Sequence, residues 1–322
     1  MPDQASGRIL VTGAAGQIGT ELVEALRLSG GVESVVASDL RQPTNGIEGS
    51  FVTLDVLDRS ALEAVVESHE IAVIYHLAAL LSATGEKNPA LCERVNIGGL
   101  VNVLEVARSH NLRVFSPSSI AVFGPDCPNL AAQDQSLNPL TMYGVTKVTG
   151  ELLASYYFEV HGVDVRGIRY PGLISWKAAP GGGTTDYAVD IFHAALGLGA
   201  YSCFVSAETC LPMMYMEDAI RATLELMDAP IASLSRWRGG YNVAGISFSA
   251  GELAEAISQR IEGFVCDFEP DVRQEYADSW PDDVEDSSAR AEWGWQPRFD
   301  LDQIVDEMLA NLRVTLTSQI SE

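Results

Sequence analysis

The stretch Arg8-Ile9-Leu10-Val11-Thr12-Gly13-Ala14-Ala15-Gly16-Gln17-Ile18-Gly19 decides the fold. An apolar run ends in glycines spaced G-x-x-G-x-x-G, which reads as a strand turning tightly into a helix. Such a turn lets the backbone approach a pyrophosphate. The helix N-terminus adds N–H donors and a partial positive charge. Gly13, Gly16, Gln17, Ile18 and Gly19 are therefore the candidate cradle. Glycines are common in such turns, so the surroundings must carry the reading.

They do so in order along the chain. Asp39, followed by Leu40, ends the next apolar run, twenty residues past Gly19. A carboxylate there accepts hydrogen bonds from adenosine ribose hydroxyls and repels a 2′-phosphate, which predicts NAD rather than NADP. Arg41 stands close enough to soften that preference. Asp55-Val56 follows a third run and could reach an adenine amino group. Leu77-Ala78-Ala79, after a fourth, offers small side chains against which a cofactor can lie close. His76 reads as a packed, hydrogen-bonded histidine rather than a catalyst.

The first 170 residues alternate short apolar runs with amphipathic ones. Ile9–Val11, Ser34–Ser38, Phe51–Leu54, Ala72–His76, Val114–Ser116 and Val165–Arg169 read as buried strands. Gln17–Leu28, Asp58–His69, Pro89–Ser109 and Met142–His161 read as helices. That rhythm predicts an α/β fold: a Rossmann-like, doubly wound parallel sheet with helices on both faces. After Tyr170-Pro171-Gly172 the rhythm changes. The expected division is a dinucleotide-binding domain over 1–172 carrying the catalytic residues. A smaller substrate-binding lobe over 173–322 is partly interleaved with it. Pro180-Gly181-Gly182-Gly183 reads as a hinge-like loop before a helix start at Thr184-Thr185-Asp186, and is expected to carry a lid.

The composition narrows the function. A net charge of −24 argues against nucleic acid, whose phosphates would be repelled. The five cysteines form no C-x-x-C pair and none lies at zinc spacing from histidine, so no metal is expected. Scattered thiols suit a reducing compartment. There is no basic leader with an apolar core and no apolar run of 18 residues, so a cytoplasmic protein without membrane contact is expected.

The chemistry points to Tyr143-Gly144-Val145-Thr146-Lys147. Tyr143 and Lys147 are four residues apart and share one helical face. A free phenol has a pKa of about 10 and is a poor base at neutral pH. A nearby ammonium and a positively charged oxidised nicotinamide would favour the phenolate, which could then take a hydroxyl proton as hydride leaves carbon. Lys147 is one of only three lysines, with Lys87 and Lys177. Ser119, within Ser116-Pro117-Ser118-Ser119, is placed to hold the substrate oxygen.

Together the glycine motif, the acid after the second strand, His76-Leu77-Ala78-Ala79, Ser118-Ser119-Ile120-Ala121-Val122-Phe123-Gly124, Tyr143-Gly144-x-x-Lys147 and Arg169-Tyr170-Pro171-Gly172 resemble the extended short-chain dehydrogenase/reductase family. The second half is similar to that family's L-threonine 3-dehydrogenase group, through 80–87, 171–175, 180–188, 211–216 and 278–295. The resemblance implies oxidation of the β-hydroxyl of L-threonine by NAD to 2-amino-3-oxobutyrate. Tyr143 would be the base, Lys147 its tuner and ribose ligand, and Ser119 the hydroxyl anchor. Ser82, Thr184 and Thr185 would bind the substrate, and Asn96, Tyr170 and Pro171 join the cofactor set. A homodimer is also implied, with 89–109 or 142–161 as candidate faces.

Two other readings compete. A nucleotide-sugar epimerase or dehydratase would want cations for a diphosphate, yet from Gly172 onward there are 25 acids against nine basic residues. A non-enzymatic NAD-sensing protein has no need of Tyr143, Lys147 and Ser119 together.

Overall fold

The computed structural model describes residues 7–42, 48–177 and 181–320, so Pro180 of the expected hinge loop lies outside the described residues. β1 (Arg8–Thr12) leads through the glycine turn into α1 (Gln17–Gly30), followed by β2 (Val35–Asp39), β3 (Phe51–Thr53), α2 (Arg59–Ser68) and β4 (Ile71–His76). Then come α3 (Ser82–Lys87), α4 (Pro89–Glu93), α5 (Gly99–His110), β5 (Arg113–Phe115), β6 (Ser118–Ser119) and β7 (Leu130–Ala131). The first half closes with α6 (Met142–His161), β8 (Val165–Arg166) and β9 (Ile168–Tyr170).

Six of these strands form one parallel sheet in the order β3-β2-β1-β4-β5-β8. The order reverses at β1, which puts a crevice at the C-terminal ends of β1 and β4, where such sheets bind ligands. Successive side chains alternate between the two faces. Leu10, Val36, Ile74 and Val114 pack under α2, α5 and α6. Val11, Val35, Ala37, Tyr75 and Phe115 pack against α1 and the helix Met216–Asp228. That helix lies well past residue 172 in sequence yet covers the first sheet.

The remaining chain builds a separate core from the helices Tyr187–Gly197, Ala250–Ser258 and Leu301–Ile320 and the strands Gly172–Ile174, Cys210–Tyr215 and Ile246–Ser249. Residues 241–242 then return to pair with β9, so the two parts interleave.

Two elements differ from the sequence reading. The run 165–169 is not one strand. It breaks at Gly167, whose N–H donates to the Arg238 carbonyl at 2.7 Å. β8 closes the main sheet, while β9 joins a small sheet with β6 and Tyr241–Asn242. The helix expected over 89–109 is interrupted by a π-helical turn, Arg94–Gly98, which carries Asn96. Such turns reorient side chains out of the helical ladder. No helix among the described residues is long and apolar enough to cross a membrane.

Candidate active site

Three glycines shape the floor of the crevice. Gly13 has φ +69°, and a Cβ there would meet the Ala78 backbone nitrogen at 2.7 Å. A Cβ on Gly19 would stand 2.2 Å from the Gly13 carbonyl oxygen. The α1 N-terminus therefore lies directly against the loop. No side chain caps α1 at Gly16. Its first-turn N–H groups have no intrahelical acceptor, which is what a pyrophosphate requires.

Asp39 stands beside this loop and accepts from the backbone N–H groups of Ala15 at 3.1 Å and Leu40 at 2.7 Å. A carboxylate has about four acceptor positions, so two remain for a ribose diol. Leu40 is exposed, as suits a surface for an adenine ring. Asp55 is exposed and accepts from the Leu57 N–H at 2.9 Å, while Val56 is buried beneath Gly99. Leu77 and Ala79 line the main cleft, and Ala78 packs on Gly13. His76 is buried against Thr12, Nδ1 to Oγ1 2.9 Å, and burial pushes it down to about 3, so it is neutral.

The cleft encloses about 220 Å³ and runs from Gly13, Gly16, Gln17, Ile18 and Gly19, past Ser119, Tyr143 and Lys147, to Ser82, Thr184 and Thr185. Tyr170 and Pro171 also line it. β6 carries Ser119 and α6 carries the other two. Ser119 lies close enough to the Tyr143 phenol to draw its pKa down, and its Oγ accepts from the Ala121 N–H at 3.2 Å. Lys147 Nζ donates to the Pro117 carbonyl at 2.7 Å and lies 5.4 Å from the Tyr143 ring centroid.

The electrostatics differ from the simple expectation. Burial pushes the Tyr143 phenol up to about 12, against the pull of Ser119. Burial also pushes the Lys147 amine down to about 8. The protein's own groups do not make Tyr143 a base at neutral pH, because desolvation of the phenolate outweighs them.

Two residues expected at the cofactor also have partners within the protein. The Asn96 amide is committed to the protein. Its Oδ1 accepts from the Leu80 N–H at 2.8 Å, and its Nδ2 donates to the Leu80 carbonyl and to Thr146 Oγ1, both at 3.0 Å. It ties the loop after β4 to α6. The Tyr170 ring is buried and its hydroxyl pairs with Thr223, while the residue still lines the cleft.

At the far end, Ser82 and Thr184 are buried with their hydroxyls 3.3 Å apart. Thr185 is half-buried at the cleft wall. The helix begins at Tyr187, later than the sequence suggests. Asp186 holds the glycine loop instead, accepting from the N–H groups of Gly182 at 2.8 Å and Gly183 at 2.7 Å. Burial raises its pKa.

Sequence reading missed Asp186, Trp280 and Glu151. The first two line the cleft. Glu151 is eight residues past Tyr143, so the i, i+4, i+8 stripe on α6 was a signal that could have found it. Among the described residues no cluster of His, Cys, Asp or Glu could hold a metal ion, and no cysteine is disulfide-bonded.

A dinucleotide cradle leading to a Ser–Tyr–Lys group defines a nicotinamide-dependent enzyme of the short-chain dehydrogenase type. The chain belongs to the NAD dependent epimerase/dehydratase family, which matches residues 9–244. An uncharacterized epimerase/dehydratase of Staphylococcus saprophyticus is 48% identical over 307 residues, spanning 94% of this chain and 96% of that protein. A monomeric L-threonine 3-dehydrogenase from a metagenome superposes with a TM-score of 0.93 at 54% identity, covering 95% of this chain and 99% of that one. The holo form of a GalE-like L-threonine dehydrogenase from Cupriavidus necator gives 0.93 at 51% identity, with 95% and 99% covered.

Gly19→Ala tests the cradle. The added Cβ must push α1 off the Gly13 carbonyl, so dinucleotide binding should weaken at least about tenfold, which is 1.4 kcal/mol. Quenching of tryptophan fluorescence on titration with the dinucleotide reads this directly. Unchanged affinity would mean that the α1 N-terminus does not receive the phosphates.

Proposed function

We propose that this protein is an NAD-dependent L-threonine 3-dehydrogenase, oxidising the β-hydroxyl to give 2-amino-3-oxobutyrate. The observation that carries this reading is the charge of the cleft. Its lining has one cation, Lys147, beside the reacting phenol, and one acid, Asp186, at the far end. A nucleotide sugar would need further cations at its diphosphate, and none lines this cleft among the described residues. A small zwitterion suits it. The similarity to L-threonine dehydrogenases over nearly the whole chain supports the same substrate.

The residues divide the work. Asp186 faces the substrate ammonium, and Ser82, Thr184 and Thr185 offer hydroxyls to its polar groups. Ser119 donates to the β-oxygen and orients it towards Tyr143. Tyr143 takes the hydroxyl proton as the C–H bond breaks. Lys147 holds its ammonium beside the phenol, where it favours the phenolate and can donate to the nicotinamide ribose. Bound NAD supplies the hydride acceptor and a positive ring that opposes the effect of burial on the phenol. Contacts of Asp186 with Gly182 and Gly183, and of the Gly182 carbonyl with the Ala83 N–H at 3.3 Å, hold the glycine loop over the substrate end. Breaking them would open it.

The five unpaired thiols support a cytoplasmic setting. The α6 face exposes Val145, Leu152, Tyr156 and Val160 along one stripe. That stripe supports a homodimer, which sedimentation at micromolar concentration would distinguish from the monomeric state of one structural relative.

Tyr143→Phe keeps the ring and removes the proton acceptor. Turnover with threonine, followed as NADH absorbance, should fall roughly 10²–10⁴-fold with NAD affinity retained. Near-normal turnover would remove Tyr143 from the reaction. The wild type should prefer NAD strongly, and Asp39→Ala should weaken NAD binding while raising relative use of NADP. Equal use of both cofactors by the wild type would contradict the role given to Asp39.

A further inference from the structure

Behind Lys147 lies a second, much smaller cavity of about 20 Å³, lined by His76, Asn96, Ser118, Thr146, Lys147 and Glu151 among others. It has room for about one water with several polar partners. Its outer wall is Glu151, which also borders a surface groove beside α6. Glu151, with Gly239, therefore stands between the back of the active site and the exterior.

The Glu151 carboxylate is heavily engaged. Ser118 Oγ donates to Oε1 at 2.5 Å. Arg169, itself 3% exposed, grips it with Nε to Oε1 and Nη2 to Oε2, both 2.8 Å. Arg169 Nη1 also donates to the Gln133 carbonyl and to Asn242 Oδ1, both at 3.1 Å. A Cβ on Gly240 would come within 2.4 Å of the Glu151 side chain, so the backbone closes tightly over it. One carboxylate thus joins the three elements that carry the site: β6 with Ser119, α6 with Tyr143 and Lys147, and β9 with Tyr170.

We propose that Glu151 is a positioning residue for the dehydrogenation, holding Ser119 and the Tyr143–Lys147 pair in register and facing Lys147 across the water-sized cavity. The claim rests on the threonine dehydrogenase reading for its kinetic arm only. The charges around Lys147 come from several elements. Tyr143 and Glu151 share its helix, Cys92 faces it from α4, and His76 from β4 is neutral. Glu86 on α3 is spent on the Met142 N–H at 2.6 Å, and Arg169 on β9 lies beyond Glu151. Against the effect of burial, Cys92 and then Glu151 raise the Lys147 pKa, and Glu151 is the carboxylate of the two.

The sign follows. Removing the Glu151 charge lowers the Lys147 pKa further, so the ammonium is lost at a lower pH. The test uses Glu151→Gln, Glu151→Asp, Ser118→Ala and the double variant Glu151→Gln/Arg169→Gln, which leaves no buried charge unpaired. Acylation of Lys147 by an amine-reactive reagent across pH, read by peptide mass spectrometry, reports the amine pKa without any assay of activity. Glu151→Gln should show the labelling midpoint moved down by about one pH unit, and the double variant, which also loses the Arg169 cation, should move down by less. Glu151→Asp and Ser118→Ala should keep the wild-type midpoint. With threonine, kcat should fall on the order of 10²-fold in Glu151→Gln, as expected for a displaced reacting group. Ser118→Ala should lower kcat with no pH shift, and Glu151→Asp should recover part of the loss. An unmoved labelling midpoint in folded Glu151→Gln, or a midpoint that moves up in the double variant, would overturn the electrostatic role. Wild-type kcat in Glu151→Gln would overturn the positioning role. A wild type that labels as expected but does not oxidise threonine would overturn the substrate instead.

Discussion

The bidentate contact between Glu151 on α6 and Arg169 on β9, 2.8 Å at each nitrogen, fixes the helix on which the site is built. Removing water from both charges is expensive, so such a pair contributes little net stability. Breaking it by removing one partner costs about 3–5 kcal/mol, because the survivor is buried without compensation. Its value is geometric: it permits one placement of α6 and penalises the others. The Asn96 amide bonds to Thr146 and Leu80 at one side of α6, and the Thr141 hydroxyl accepts from the Gly144 N–H at 3.0 Å at its start. The phenol and amine sit on the stretch so held.

That placement sets the chemistry by what it denies. Tyr143 and Lys147 are both largely removed from water, so one is pushed up to about 12 and the other down to about 8. Each shift disfavours the charged form the reaction needs. A positive nicotinamide bound beside the pair would favour the phenolate, and in the proposed reaction would tie proton removal to the presence of the hydride acceptor. A phenol already ionised in the absence of the dinucleotide would have no such coupling. The strongly acidic surface does not enter the cleft, whose lining includes a single carboxylate, Asp186.

Much of this was legible in the sequence, because strand periodicity and glycine spacing are local signals. β1, β2 and β4 appear within a residue or two of the runs that announce them. The Tyr143–Lys147 face follows from helical geometry alone. What the sequence hid is what depends on distant partners. Gly167 breaks a strand because the Arg238 carbonyl, far along the chain, meets its N–H. The Asn96 amide bonds to Leu80 and Thr146, 16 and 50 residues away, which no local signal announces. Asp186 read as part of a helix start, yet its carboxylate closes the loop that precedes it. The helix over 216–228 gave no sign that it would return to the first sheet.

The central claim is that this cleft removes hydride from the β-carbon of threonine. L-threonine carrying deuterium at C3, incubated with NAD and the protein, should yield NADH with one deuterium at nicotinamide C4 per turnover, read by mass spectrometry. Turnover should also slow relative to unlabelled threonine if hydride transfer limits the rate. NADH formed without deuterium, or threonine left untouched while a nucleotide sugar is epimerised, would contradict the account.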